Sequence, residues 1–389
     1  MPTAVLVDAV RTASGRGKPG GRLSDTHPVD LLAGVLRALV DRNQLDPVVI
    51  DDVIGGCVSQ VGGQSANVTR NAVLAAGFPE TIPATTVDRQ CGSSQQAATF
   101  AAQGVVAGAY DIVIACGVEV MSREPLGSAA IGKDPWGTGI AARYPAGLVG
   151  QGISAELVAS HWNLSRHELD EFSARSHRLA AAADFSREIV AVDGHPGSGA
   201  EVDETIRPGT TAEALSQLHP AFYDEALARR FPQIEWRITA GNSSPLTDGA
   251  SAVLIMSEDA AEALGLTPRA RFVASAVVGS DPIEMLTGVI PVTRRILSRS
   301  GLTIDDMDTY EVNEAFAPVP LAWAREVGAD AAKLNPRGGA IALGHALGSS
   351  GTRLMATMLG TLEQGGGRYG LQVMCEGAGM ANATILERL

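Results

Sequence analysis

Positive charge, cysteine and aromatic rings are all scarce in this 389-residue chain, and each shortage closes off a class of function. Its 30 Lys and Arg residues face 43 Asp and Glu, a formal net charge of −13. That balance argues against a nucleic-acid surface and gives no reason to expect an anionic membrane partner. A small polyanionic ligand stays open, because a local Arg cluster can oppose the global sign. The four cysteines, Cys57, Cys91, Cys116 and Cys375, lie far apart with no C-x-x-C pair. They are too sparse for a disulfide scaffold and wrongly spaced for zinc, so no metal site is expected. No run approaches the roughly eighteen apolar residues of a membrane span. The opening Met-Pro-Thr-Ala-Val-Leu-Val-Asp lacks a basic n-region and a long apolar h-region, so the expected location is the cytoplasm, without membrane insertion.

Aromatics are only 4% of the chain, while glycine numbers 44. Tightly packed helices and sheets with close backbone approaches suit that composition. With 45% hydrophobic residues the chain can bury large cores, and its length suits two or three packed domains.

Strand-like runs alternate with helical ones. Residues 4–7 read as a buried strand, and 29–40 as a helix capped at Asp25 or Thr26. Residues 48–58 read as a turn and strand, 97–107 as a helix buried on every side, and 112–116 as a core strand. Such alternation predicts an α/β fold with a largely parallel sheet. A second copy of the order begins near residues 269–280. Ile50-Asp51-Asp52-Val53 resembles Ile304-Asp305-Asp306-Met307, an offset of 254 residues that carries Cys91 onto His345. Two polar centres at matched places in two half-chains suggest a duplicated fold whose turns meet at one site. Residues 121–245 differ in character: 127–152 are Gly/Pro/Ala-rich, 165–183 form a charged amphipathic helix with a Ser165/Glu168 capping box, and 194–199 and 207–211 are loop-like. The expected division is an N-terminal half over 1–120, completed by about 246–268, an inserted loop domain over 121–245, and a C-terminal half over 269–389.

Four centres carry chemistry. Val87-Asp88-Arg89-Gln90-Cys91-Gly92-Ser93 places Cys91 near a helix N-terminus, where free N–H groups and the helix dipole favour a thiolate. A buried structural cysteine is the plainer alternative, and the polar neighbours on both sides count against it. In Asn335-Pro336-Arg337-Gly338-Gly339-Ala340-Ile341-Ala342-Leu343-Gly344-His345, His345 is the one well-placed base, and an imidazole without a task there would be costly. A phosphate-cradling loop is the rival, but neither a Walker Lys-Ser/Thr nor G-x-G-x-x-G spacing is present. Cys375-Glu376-Gly377-Ala378-Gly379 puts exposable N–H groups beside a second thiol. Asn313-Glu314-Ala315-Phe316 follows a strand, and Asn313 there can fix a water or donate to an oxyanion. Cys57 and Cys116 read as core, and His27, His161, His167, His177, His195 and His219 are assigned no role.

Together with Thr239-Ala240-Gly241-Asn242 and Asp248-Gly249-Ala250, these centres resemble the thiolase family over essentially the whole chain. The resemblance implies a five-layer α-β-α-β-α fold of two similar βαβ-rich halves with an inserted loop domain. It also implies acyl transfer between a 3-ketoacyl-CoA and coenzyme A, a co-substrate, with no permanently bound cofactor. Cys91 would be acylated, His345 would accept its proton, and Cys375 would protonate the released acetyl-CoA carbanion equivalent. One oxyanion hole would use His345 and a water held by Asn313; the other would use the N–H groups of Cys91 and Gly377. Arg207 matches a residue contacting the nucleotide end of CoA, and Ser244 one meeting its pantetheine arm. A homodimer or homotetramer is implied as well.

Three departures from the family pattern matter. Gly344-His345-Ala346 replaces Gly-His-Pro, and Cys375-Glu376-Gly377-Ala378-Gly379 replaces Cys-x-Gly-Gly-Gly. Gly150-Gln151 stands where acetoacetyl-specific members carry His-Met. The last change points to a degradative enzyme with a roomier acyl pocket, similar to actinobacterial thiolases of fatty-acid or steroid breakdown, with Gln151 lining the substrate site. The rivals are a biosynthetic acetoacetyl-CoA thiolase, a ketoacyl or hydroxymethylglutaryl synthase, which would lack Cys375, and a non-catalytic acyl-CoA-binding relative.

Overall fold

The computed structural model describes residues 2–191 and 202–389; the loop expected at 194–199, and His195, lie outside the described residues. The apolar β-branched runs become strands of one sheet: β1 (Ala4–Arg11), β2 (Gly15–Arg16), β3 (Asp52–Gly56), β4 (Ala84–Val87), β5 (Ile112–Val120), β6 (Thr247–Ser257), β7 (Ala270–Gly279), β8 (Thr309–Val312), β9 (Tyr369–Glu376) and β10 (Met380–Arg388). Their order is β4-β3-β5-β6-β1-β7-β10-β9-β8, with β2 on β6. β4, β3 and β5 are parallel, as are β8 and β9, while β6, β1, β7 and β10 run antiparallel to their neighbours. The sheet is therefore mixed, less parallel than the alternation of strands and helices suggested. Only Val5–Arg271 and Leu6–Ala270 join β1 to β7, so the two halves meet along a short seam.

Two helices, α1 (Pro28–Arg42) and α2 (Val68–Ala75), cover the outer face of the first half. Between the halves lie α3 (Ser93–Val106) and, later in the chain, a helix over Ser350–Gly365. The loop segment supplies α4 (Gln151–His161) and α5 (Arg166–Ala182), and α6 (Val289–Ser300) and α7 (Pro318–Val327) cover the second half. With the Ser350–Gly365 helix as α8, the layers are outer helices, the first-half strands, the buried helix pair, the second-half strands and outer helices again. The Ser165/Glu168 capping box opens α5 as expected. The cap of α1 differs: His27 Nδ1 accepts the Val29 N–H, and Pro28 at the first helical position makes the start abrupt. No helix among the described residues is long and apolar enough to cross a membrane.

The internal register shifts by three residues from the one the sequence suggested. Short 3₁₀ turns start at Pro47 and Ile304, and the buried helices start at Ser93 and Ser350. Asp51 accepts the N–H groups of Asp111 and Ile112, just as Asp308 accepts those of Arg368 and Tyr369. Each pair lies 257 residues apart, from 47 to 304, from 93 to 350 and from 51 to 308. Cys91 thus corresponds to Gly348, and His345 to Asp88. The four-letter match misled because Ile50 follows its 3₁₀ turn whereas Ile304 begins one. What survives is that α3 and α8 start side by side. A Cβ on Gly351 would sit 2.0 Å from the Gln95 nitrogen, so glycine is what lets the two helices touch.

Candidate active site

Cys91 sits in a cinched turn between β4 and α3. Asp88 accepts the Gln90 N–H at 2.6 Å, and the Ser93 hydroxyl donates to the Gln90 carbonyl at 2.6 Å while accepting the Arg89 N–H at 2.9 Å. These bonds hold Gln90 at φ +49°, a left-handed conformation uncommon for a side chain of that size. The thiol then emerges one residue before Gly92, the N-cap of α3. It is buried in a cluster with Met121, Leu347, Leu354 and Met374.

The resting electrostatics differ from the expectation of a thiolate. Burial, reinforced by the Glu376 carboxyl, pushes the Cys91 pKa up to about 12, although the Gln151 side chain and the Cys91 N–H pull it down. Desolvation outweighs the helix terminus here. Cys375, at the end of β9, is fully buried and shifted well above the ordinary thiol range by burial, then by Cys91 and Glu376. The two thiols are close enough that ionising one resists ionising the other.

His345 has a defined tautomer. Its Nδ1 lies 2.6 Å from the Ser350 hydroxyl, which donates its own proton to the Ala346 carbonyl at 2.9 Å. Ser350 can therefore only accept from Nδ1–H, leaving a lone pair on Nε2 that faces Asn313 Nδ2 at 3.3 Å. Burial, then the charge of Arg353, holds the imidazole pKa down to about 3. The backbone N–H of His345 donates to Thr247 Oγ1 at 2.9 Å. Asn313 Oδ1 is buried without a partner among the described residues, the state of an atom placed for a water or ligand.

Buried acids fix the loops. Glu119 accepts from the Val58, Ser59 and Gly348 N–H groups and from Gln64, clasping the His345 loop to the first half. Glu314 accepts from Ser176, Asn335 and the Ile341 N–H, tying the glycine-rich segment to α5. Glu376 is different: both its oxygens are buried with no partner among the described residues, and burial lifts its pKa to about 8 against the opposing charge of Arg89.

The structure gathers Cys91, Cys375 and Gln151 at one point, with Gly377 beside Gln151, and pairs His345 with Asn313. A Cβ on Gly377 would lie 3.0 Å from Gln90 Oε1 and 3.5 Å from Gln151 Nε2, and the Gly377 N–H donates in none of the turn and loop bonds among the described residues. Two residues remain outside this cluster of contacts. Arg207 is exposed, with its backbone N–H on His177 Nδ1, and Ser244 is half-buried with its N–H on the Ala315 carbonyl. Sequence reasoning missed Ser350, Thr247 and Glu119 as supports, and Glu376 as an unpartnered buried acid. Glu119 left a signal, an acid inside an otherwise apolar strand; Ser350 and Thr247 left none that spacing reveals.

Residues 4–259 match the family of thiolase N-terminal domains and residues 266–388 that of thiolase C-terminal domains. This chain belongs to the thiolase family. It is 48% identical to the steroid 3-ketoacyl-CoA thiolase of Mycobacterium tuberculosis, over 100% of this chain and 95% of that one. It is 43% identical to the 3-ketoacyl-CoA thiolase of Aeromonas hydrophila, over the full length of both. The acetyl-CoA acetyltransferase structure of Bacillus anthracis superposes with a TM-score of 0.88 at 34% identity, covering 100% of this thiolase chain and 99% of that one.

Proposed function

We propose that this protein is a 3-ketoacyl-CoA thiolase of fatty-acid or steroid β-oxidation. It would cleave its substrate to acetyl-CoA or propionyl-CoA and a shortened acyl-CoA, reversibly and with ping-pong kinetics. The carrying observation is the pair of adjacent buried thiols, accompanied by an imidazole whose Nδ1 is held by Ser350 and whose unprotonated Nε2 faces Asn313 Nδ2. The names of the M. tuberculosis and A. hydrophila relatives support the same reading.

In this mechanism the resting thiol and imidazole are both neutral, because burial opposes charge on each. Attack of Cys91 on the 3-keto carbon is coupled to transfer of its proton to His345 Nε2. The N–H groups of Cys91 and Gly377 receive the tetrahedral oxyanion, each such donor contributing about 3 kcal/mol to the barrier reduction. Carbon–carbon cleavage yields an acetyl-CoA enolate, held by His345 and a water on Asn313 and protonated by the Cys375 thiol. Coenzyme A, a co-substrate, then takes the acyl group from Cys91. Residues 121–245 form the loop domain over the site, where Arg207 and Ser244 contact CoA and Gln151, whose side chain pulls the Cys91 thiol pKa down, borders the acyl group. The active form is a homodimer or homotetramer in the cytoplasm.

The test follows the loss of ketoacyl-CoA enolate absorbance on adding CoA, across linear, branched and ring-bearing substrates. Faster turnover of long or ring-bearing chains supports the degradative reading. Preference for acetoacetyl-CoA would instead identify a biosynthetic thiolase, and no turnover with any chain would identify a binding protein.

A further inference from the structure

Two carboxamides stand beside the reacting centre and take no part in its proton transfers. Gln90 is held at φ +49° by the bonds of its turn, and its Oε1 lies 3.0 Å from the point where a Cβ on Gly377 would sit. Gln151 opens α4, and its Nε2 lies 3.5 Å from the same point. Gly377 is therefore bracketed by one amide from the Cys91 turn and one from the loop domain. Gln151 also pulls the Cys91 pKa down, as a near neighbour of the sulfur does. Both glutamines are half-buried, so their amides border open space. Neither is saturated: a carboxamide has two donor hydrogens and an acceptor oxygen with two lone pairs. Gln90 Nε2 reaches Asp88 only at 3.4 and 3.5 Å, beyond the usual range, and its Oε1 accepts no bond from a described residue.

The rest of the wall is apolar. Met121, Leu347, Leu354 and Met374 pack around Cys91. A Cβ on Gly152, the residue after Gln151, would lie 2.4 Å from the Phe222 ring, which stands edge-on to Phe316 at 5.9 Å between centroids. A polar group in such a wall costs free energy unless it finds a partner. The reaction itself does not supply one. A 3-ketoacyl-CoA brings two oxygens to this point: the ketone oxygen falls to the Cys91 and Gly377 N–H groups, and the thioester oxygen to His345 and the water on Asn313. The glutamines are surplus to both.

We propose that Gln90 and Gln151 are specificity-determining residues, and that the acyl group carried by Cys91 bears a further oxygen, a ketone or hydroxyl, on one of the first few carbons beyond the reacting ketone. The inference rests on the thiolase reading and narrows its substrate class. An acyl group joined to the Cys91 sulfur has its first carbons beside Gly377, within the span of both amides. Donation from Nε2 suits a ketone or a hydroxyl alike, and the free oxygen of Gln90 suits a hydroxyl. A carboxylate is a poorer fit, since two neutral amides leave its charge unpaired.

The experiment measures kcat/KM for thiolysis of three 3-ketoacyl-CoAs of one chain length, carrying hydrogen, a hydroxyl or a ketone on the third carbon beyond the reacting ketone. The comparison is made in the wild type, Gln90→Met and Gln151→Met, near-isosteric changes that remove the amide. The expected wild-type result is a preference of at least about fivefold for an oxygenated chain over the plain one, the size of a neutral hydrogen bond. That ratio should fall towards one in each variant. A loss common to all substrates, such as a disturbed Cys91 thiol, cancels from it. If one variant fails to fold, the other variant and the wild-type preference carry the test. Either oxygen supports the inference: a hydroxyl preferred over a ketone brings in Gln90 Oε1 as acceptor, and equal preference leaves recognition to the Nε2 donors. A wild-type ratio of one or less, or a ratio unchanged in both variants, would overturn it. Absence of thiolysis with all three substrates would instead overturn the functional reading beneath it.

Discussion

Replacing Ser350 by Ala isolates the tautomer that the reaction needs. The Nδ1–H of His345 is buried, and Ser350 is its acceptor at 2.6 Å. Alanine leaves that donor unsatisfied, at a cost of about 1–3 kcal/mol. The imidazole can escape the cost by moving its proton to Nε2, which removes the lone pair that takes the Cys91 proton. Either response lowers the rate, and 1–3 kcal/mol corresponds to about 5- to 150-fold in kcat. Because Ser350 sits behind the ring, KM for ketoacyl-CoA and for CoA should change little. The neighbouring Ser349→Ala is the control: its hydroxyl bonds Ser251 at 2.8 Å and not the ring, so it should affect melting more than turnover. A Ser350→Ala enzyme within twofold of the wild-type kcat would refute the tautomer argument.

Ala346→Pro restores the residue usual in the family. Ala346 already has φ −69° and its N–H donates no turn or loop bond among the described residues, so the substitution should stabilise by about 0.4–1 kcal/mol, read as a melting rise of about 0.5–1 °C without loss of activity. Glu376→Gln tests the unpartnered acid. Since burial raises the carboxyl pKa to about 8, the native state holds that proton more tightly than the unfolded chain, and wild-type stability drains away as pH rises from the ordinary carboxylate range through 8. The glutamine variant should melt higher than the wild type at pH 9 and close to it at pH 5. Its Cys91 should also alkylate faster above pH 8, where Glu376 is charged in the wild type; identical alkylation profiles would remove Glu376 from the account.

Much of this architecture is legible in the chain because local signals and burial agree. The Ser165/Glu168 box opens α5, apolar runs mark β1, β5, β6 and β9, and the small residues of α3 announce a helix buried on every side. The motifs around Cys91, Asn313, His345 and Cys375 could be read because each breaks its surroundings with a polar or glycine-rich interruption. Register was less legible: similar four-letter runs sit at different points of equivalent 3₁₀ turns, and the matched helix starts and the shared Asp51 and Asp308 bonding reveal the shift. Protonation state was not legible either. A helix start predicts an activated thiolate, but the depth at which Cys91 lies is a tertiary property, and burial dominates. The partners of His345 come from Thr247 and Ser350, which no periodicity singles out.

Acylation of Cys91 is the centre of this account, and mass spectrometry measures it directly. Enzyme mixed with a 3-ketoacyl-CoA and no free CoA should gain one acyl mass, mapped to the peptide containing Cys91, and lose it when CoA is added. Cys91→Ala should gain nothing, and Cys375→Ala should acylate slowly because the enolate lacks its acid. An acyl group on Cys375, or turnover with no acyl-enzyme at all, would contradict the assignment of Cys91 as the nucleophile.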